Sequence, residues 1–136
     1  MKNYKQYLFA ILLALLAGNA SAKLKQTKVY AFGFAASFND STVYFTDVQE
    51  IDSAWVNEGN HFLYSRENYS YQLRDYLKGQ GVSYPTPITS FALKRKTAEK
   101  KLATLRKKYT EKGKFDVRYI KESEFRYAPI APEEEK

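Results

Sequence analysis

Few residues in this chain could carry out acid–base or nucleophilic chemistry. Cysteine is absent and His61 is the single histidine among 136 residues, so thiolate nucleophiles, disulfides and Cys/His metal sites are excluded. His61 follows Gly59-Asn60, and no nucleophile-elbow motif brings a serine toward it. It reads as a solvated loop histidine. Three carboxylates cluster in "DVQEID": Asp47, Glu50 and Asp52. Two of them facing each other across a cleft could act as the acid and base of a glycan hydrolase. Their spacing is not that of a calcium loop, and solvated charges at strand ends are the expected role. No phosphate-cradling glycine loop is present, since Gly33 lies inside a strand pattern. We therefore expect no catalytic residues, no cofactor and no metal.

Binding chemistry is better represented. Residues 94–114 hold ten Lys/Arg against Glu99 and Glu111. Within that stretch Lys100, Lys101, Lys107 and Lys108 fall away from an apolar helical stripe. Such a face is either plainly solvated or a docking surface for anionic envelope material, where each nearby cation contributes about 1 kcal/mol. A second candidate lies in "LYSRENYSYQLRDYL" and just beyond. Tyr71, Arg74 and Lys78 project from the other predicted helix, and exposed Tyr and Arg are types that anchor interfaces and stack on sugars.

The elements that hold these residues follow from periodicity. In "KVYAFGFAASFNDSTVYFTDVQ", Asn39-Asp40 suit a two-residue turn, which pairs Ala36 with Val43, Phe34 with Phe45 and Phe32 with Asp47. One face of this hairpin is bulky (Tyr30, Phe32, Phe34, Phe45) and the other small (Ala31, Gly33, Ala35). Residues 50–65 show no clean period. Residues 67–81 predict a helix with Asn68 as N-cap, a stripe of Tyr69, Leu73, Tyr76 and Leu77, and Gly79 or Gly81 after its end. "YPTP" predicts an extended loop. "ITSFALKRK" predicts a strand with Thr89 and Phe91 opposite Ile88, Ser90 and Ala92. A second helix follows, capped by Thr97, striped by Ala98, Leu102, Leu105 and Tyr109, and ended by Gly113. "KFDVRYI" predicts the last strand.

The resulting order, ββαβαβ, predicts an α/β (α+β) two-layer sandwich: an N-terminal hairpin, then αβαβ, with about four strands in a mixed sheet and both helices on one face. The bulky face, with Phe91 and Val117, is expected beneath the helices. The small face is expected under the Trp55/Phe62 loop or the Phe125, Tyr127, Ile130 tail, or else against a partner chain.

Residues 1–22 have the order of a secretory signal peptide: Lys2 and Lys5, the run "LFAILLALLA", then Ala20-Ser21-Ala22. Ten apolar residues reach roughly 15 Å, half of a bilayer core, so no transmembrane span is expected after cleavage. This predicts an exported, periplasmic or secreted protein with one α/β domain at 23–120 and a C-terminal tail at 121–136 whose end is disordered. Removing the leader takes the net charge from +7 to +5. Export argues against nucleic acid as the anionic partner and favours an envelope protein or an anionic polysaccharide such as peptidoglycan. The segment "ITSFALKRKTAEKKLATLRKKYTEKGKFDVRYI", about a quarter of the chain, resembles one β-α-β half of a SPOR peptidoglycan-binding domain. That resemblance implies envelope-polymer binding. The leading hairpin departs from the family's order of elements, so no residue role is carried over. The sequence thus points to a non-catalytic binding or assembly module. A carboxylate-dependent glycan hydrolase and a structural subunit pairing through its sheet face are the alternatives.

Overall fold

A hairpin begins the sheet. In the computed structural model, which describes residues 23–133, strand β1 (Leu24–Ser37) turns through Asn39-Asp40 into β2 (Thr42–Thr46). Phe34 faces Phe45, Ala35 faces Tyr44 and Ala36 faces Val43, the register expected of a two-residue turn. The backbone N–H of Thr42 donates to Asp40 Oδ1 at 2.8 Å, which secures the turn. The leader and residues 134–136, including the end expected to be disordered, lie outside the described residues.

The chain then supplies a strand that the sequence pattern hides. β3 (Gln49–Asn57) also runs antiparallel to β1, pairing Ala31 with Gln49 and Val29 with Ile51. Its alternation is broken by a bulge, because Thr27 faces Ala54 while Val29 faces Ile51, leaving Asp52 and Ser53 opposite Lys28. Ile51, Ala54 and Val56 consequently share one buried face despite their uneven spacing. Asp47 and Val48 lie between β2 and β3 and belong to neither strand, so the expected Phe32–Asp47 pair is not part of the ladder.

β4 (Pro85–Ala92) pairs with β1 from Tyr30–Ala92 to Ser37–Pro85. Tyr30 and Ala31 thus face β3 and β4 at once, and Phe34 to Ala36 face β2 and β4. A strand has only two edges, so β2 and β3 follow one another along one edge of β1 and β4 occupies the other. β5 (Asp116–Ile120) lies parallel to β2 and completes a five-stranded mixed sheet. Of "YPTP", expected to be an extended loop, Pro85-Thr86-Pro87 is extended but belongs to β4, while Tyr84 before it is a bend residue with φ 50°. An outer strand tolerates the prolines, because a missing N–H there costs no ladder bond.

Two helices complete the α+β fold. α1 (Arg66–Gly79) buries Tyr69, Leu73 and Leu77, and α2 (Arg95–Glu111) buries Ala98 and Leu102. Both stripes are those expected; the N-caps are not. Ser65 and Lys94 precede the helices, while Asn68 and Thr97 lie inside them. α1 ends in a Schellman turn. Gly81 has φ 89°, its N–H donates to Lys78 O, and the Val82 N–H donates to Leu77 O, both at 3.0 Å.

The helices divide between the sheet's faces rather than sharing one. α2 covers the ring face, packing with Phe32, Phe34, Val43 and Phe45. α1 and the C-terminal segment cover the small face, packing with Val29, Ala31 and Ala35. Gly33 shows why the small face takes a helix so closely. A Cβ there would come within 2.4 Å of Tyr127 Oη and 2.5 Å of Leu73 Cδ2. The tail is therefore part of the core, with Phe125 and Tyr127 buried. Gln49, fully buried, holds it by donating to Phe125 O and accepting from the Tyr127 N–H, both at 2.8 Å.

β4 also presents the opposite faces from those expected. Because Phe34 faces Ile88 and Phe32 faces Ser90, Ile88, Ser90 and Ala92 lie on the ring face. Phe91 packs with the α1 cluster instead.

Candidate functional site

The orientation of β4 creates a groove. α2 sits over β1, where Tyr109 packs at 4.9 Å from both Phe34 and Phe115, and reaches Ala92 of β4 while leaving Ile88 exposed. The depression between them has a volume of about 740 Å³, within the roughly 300–1,000 Å³ of small-ligand sites. Its floor is Phe32, Phe34, Ile88, Leu105 and Tyr109. Ile88 is 59% exposed and gives the groove open apolar surface. Lys100, Lys101 and Lys108 stand along the helix side, with the hydroxyls of Ser90, Thr97 and Thr104 between them. No carboxylate lines the groove.

Helical spacing places these lysines. Lys101 and Lys108 lie seven residues apart, on the side of α2 shared with Leu105 and Tyr109. Lys101 Nζ donates to Phe91 O at 3.2 Å and so caps an outward carbonyl of β4. None of the three takes part in an ion pair among the described residues, whereas Lys107 pairs with Glu111 at 3.7 Å and does not line the groove. Of the basic quartet singled out from sequence, the structure brings three together. A second depression shares Ser90, Thr97 and Lys101 with the first and adds Arg66, Lys94 and His61. Each depression is lined by three cations, and the second also has Asn60 and His61 at its edge, so the groove runs from an apolar end to a more polar one.

Tyr71, Arg74 and Lys78 belong to α1, on the other side of the sheet, and are not joined to the lysines. Arg74 lies 4.4 Å above the Tyr71 ring and pairs with Asp75 at 3.1 Å, so its charge is partly engaged within its own helix. Lys78 lines a shallow depression with Gly81, Val82 and Tyr84.

Two of the three clustered carboxylates, Glu50 and Asp52, gather around one cation. Lys28 Nζ lies 3.4 Å from Glu50 Oε1 and 3.8 Å from Asp52 Oδ1. Desolvation alone would raise the Glu50 pKa, but the hydrogen bond and charge of Lys28 outweigh it, and the carboxyl is held below its ordinary value. Lys28 is raised correspondingly, chiefly by its hydrogen bond to Glu50. This is an ion-paired strand surface rather than two carboxylates facing across a cleft. Among the described residues no group of three His, Asp or Glu could hold a metal ion, and no helix is long and apolar enough to cross a membrane. His61 is exposed in a loop with φ 62°.

The sequence reading missed Ile88, Ser90, Thr97, Thr104 and the ring floor as site residues. β4 alternates either way in sequence, and only its register against β1 decides which side faces α2.

No protein-family model, curated protein or solved structure matches this chain. The likeness of residues 88–120 to half a SPOR domain accordingly rests on sequence pattern alone.

Proposed function

We propose that this protein is an exported, non-catalytic binding module of the cell envelope, and that its ligand site is the groove between β4 and α2. The ligand is anionic. One observation carries the reading: Lys100, Lys101 and Lys108 line an apolar groove that contains no carboxylate, and none of them has an ion-pair partner among the described residues. Lysine stems pack along apolar walls while their ammonium groups reach the rim, an arrangement suited to an anion held at the mouth.

The test is co-sedimentation with phosphatidylglycerol vesicles and, separately, with insoluble peptidoglycan, at low and high salt. Reversing the charge of Lys100, Lys101 and Lys108 together should weaken binding by at least about 100-fold, at roughly 1 kcal/mol per cation. Lys107→Glu, outside the groove, should cost tenfold or less on the same scale. If the wild type binds neither material at low salt, the reading is wrong.

A further inference from the structure

We infer that the groove takes a single-chain anionic amphiphile, a carboxylate or phosphate head on a linear hydrocarbon chain. This rests on the anionic-ligand reading above and goes beyond it by specifying the rest of the ligand. The floor decides the point. Ile88, Leu105, Phe32, Phe34 and Tyr109 offer a sugar polymer little to hydrogen-bond, and a ligand rich in hydroxyls would lose water there without replacing it. Of the groove's hydroxyls, Thr104 Oγ1 is already engaged with Lys100 O at 3.0 Å. A hydrocarbon chain, by contrast, gains from covering the exposed Ile88.

The polarity of the groove also orients the ligand. Ser90, Thr97 and Lys101 stand where the more apolar depression meets the more polar one, beside Lys94 and Arg66. The head sits at that boundary beside Lys101, and the chain runs along β4 toward Phe34 and Tyr109, past the aliphatic stem of Lys108, whose charge adds only a longer-range attraction. Charge complementarity selects the head and the ring floor selects the tail. Neither feature alone would distinguish this ligand from a polyanion or from a neutral lipid.

The experiment is isothermal titration of the full-length protein with ethyl, hexyl and decyl phosphate, each below its micelle concentration, at two salt concentrations. Affinity should rise with chain length, by up to about fourfold per methylene at full burial, and fall with salt for every member. Ile88→Ser should weaken decyl phosphate roughly threefold or more and leave ethyl phosphate unchanged. Ile88 is an exposed side chain on an outer strand, so folding is little affected. Lys101→Gln should weaken the whole series.

Salt-sensitive binding that does not vary with chain length would overturn the amphiphile while leaving the anionic site standing. Binding to vesicles or peptidoglycan, with no binding of any alkyl phosphate, would do the same. Failure of all these probes would overturn both. A concentration-dependent dimer that protects residues 88–92 from hydrogen exchange would assign the groove to a second copy and also overturn the amphiphile.

Discussion

Replacing Gln49 by alanine should loosen the C-terminal segment from the body of the fold. The side chain is fully buried and makes two hydrogen bonds, donating to Phe125 O and accepting from the Tyr127 N–H, each 2.8 Å long. Alanine leaves both main-chain groups without a partner beside Phe125 and Tyr127, which belong to the buried α1 cluster. Each unsatisfied buried group costs roughly 1–3 kcal/mol, so the loss is about 2–6 kcal/mol, nearer the lower value where water enters the vacated space. At roughly 4 °C per kcal/mol for a domain of this size, thermal unfolding followed by circular dichroism should shift down by about 8 °C or more.

Gln72 provides an internal control. It makes the same pair of bonds to Ala128, at 2.9 and 2.8 Å, but in an exposed setting where water can substitute. Gln72→Ala should therefore cost about 1 kcal/mol or less.

Gln49→Glu sharpens the test. A carboxylate still accepts from the Tyr127 N–H but faces Phe125 O with no proton to offer. Its folded pKa must rise above the unfolded value of about 4.3. The variant is therefore closest to wild type below about pH 4 and loses stability as pH rises through the folded pKa. If Gln49→Ala melts within about 2 °C of the wild type, or if the Gln49→Glu deficit does not vary with pH, the proposed clamp is refuted.

Two further outcomes follow from the same face of the sheet. Gly33→Ala introduces a methyl group into the space of Tyr127 Oη and Leu73 Cδ2, both on fully or nearly fully buried side chains. It should cost about 1–3 kcal/mol by overpacking, read as a lower urea midpoint with an unchanged m-value. Tyr127 itself is pushed up to about 12 by burial, only partly offset by its hydrogen bond with Thr89. Its folded pKa lies above the unfolded value of about 10, so its contribution is complete below pH 10 and is lost as pH rises from there toward 12. Tyr127→Phe should flatten this part of the stability–pH curve relative to wild type, and in the wild type Tyr127 should be among the last tyrosines to ionise by ultraviolet absorbance.

How far the sequence could be read depended on which interactions were local. The hairpin register followed from Asn39-Asp40, because a two-residue turn leaves one way to pair the flanking residues. Both helical stripes were readable because spacing within one helix needs no partner. The basic character of residues 94–114 was likewise a matter of composition. β3 was not readable. Its bulge at Asp52-Ser53 shifts the phase of burial midway, so Ile51 and Ala54 share a face that no fixed period predicts.

The candidate site was decided by pairings between segments distant in the chain. The sequence alone marked Lys100, Lys101 and Lys108 as exposed cations, but gave Lys107, Tyr71, Arg74 and Lys78 equal standing. Three long-range choices separated them. α1 took the small face because Gly33 allows close approach. That left the ring face to α2 alone, and β4 paired with Ile88 opposite Phe34. Each choice depends on a contact between residues far apart in sequence, which neither periodicity nor charge encodes. The chemistry of the lysines was therefore a property of the sequence, while the groove they surround exists only because the tertiary fold divided its helices between two faces.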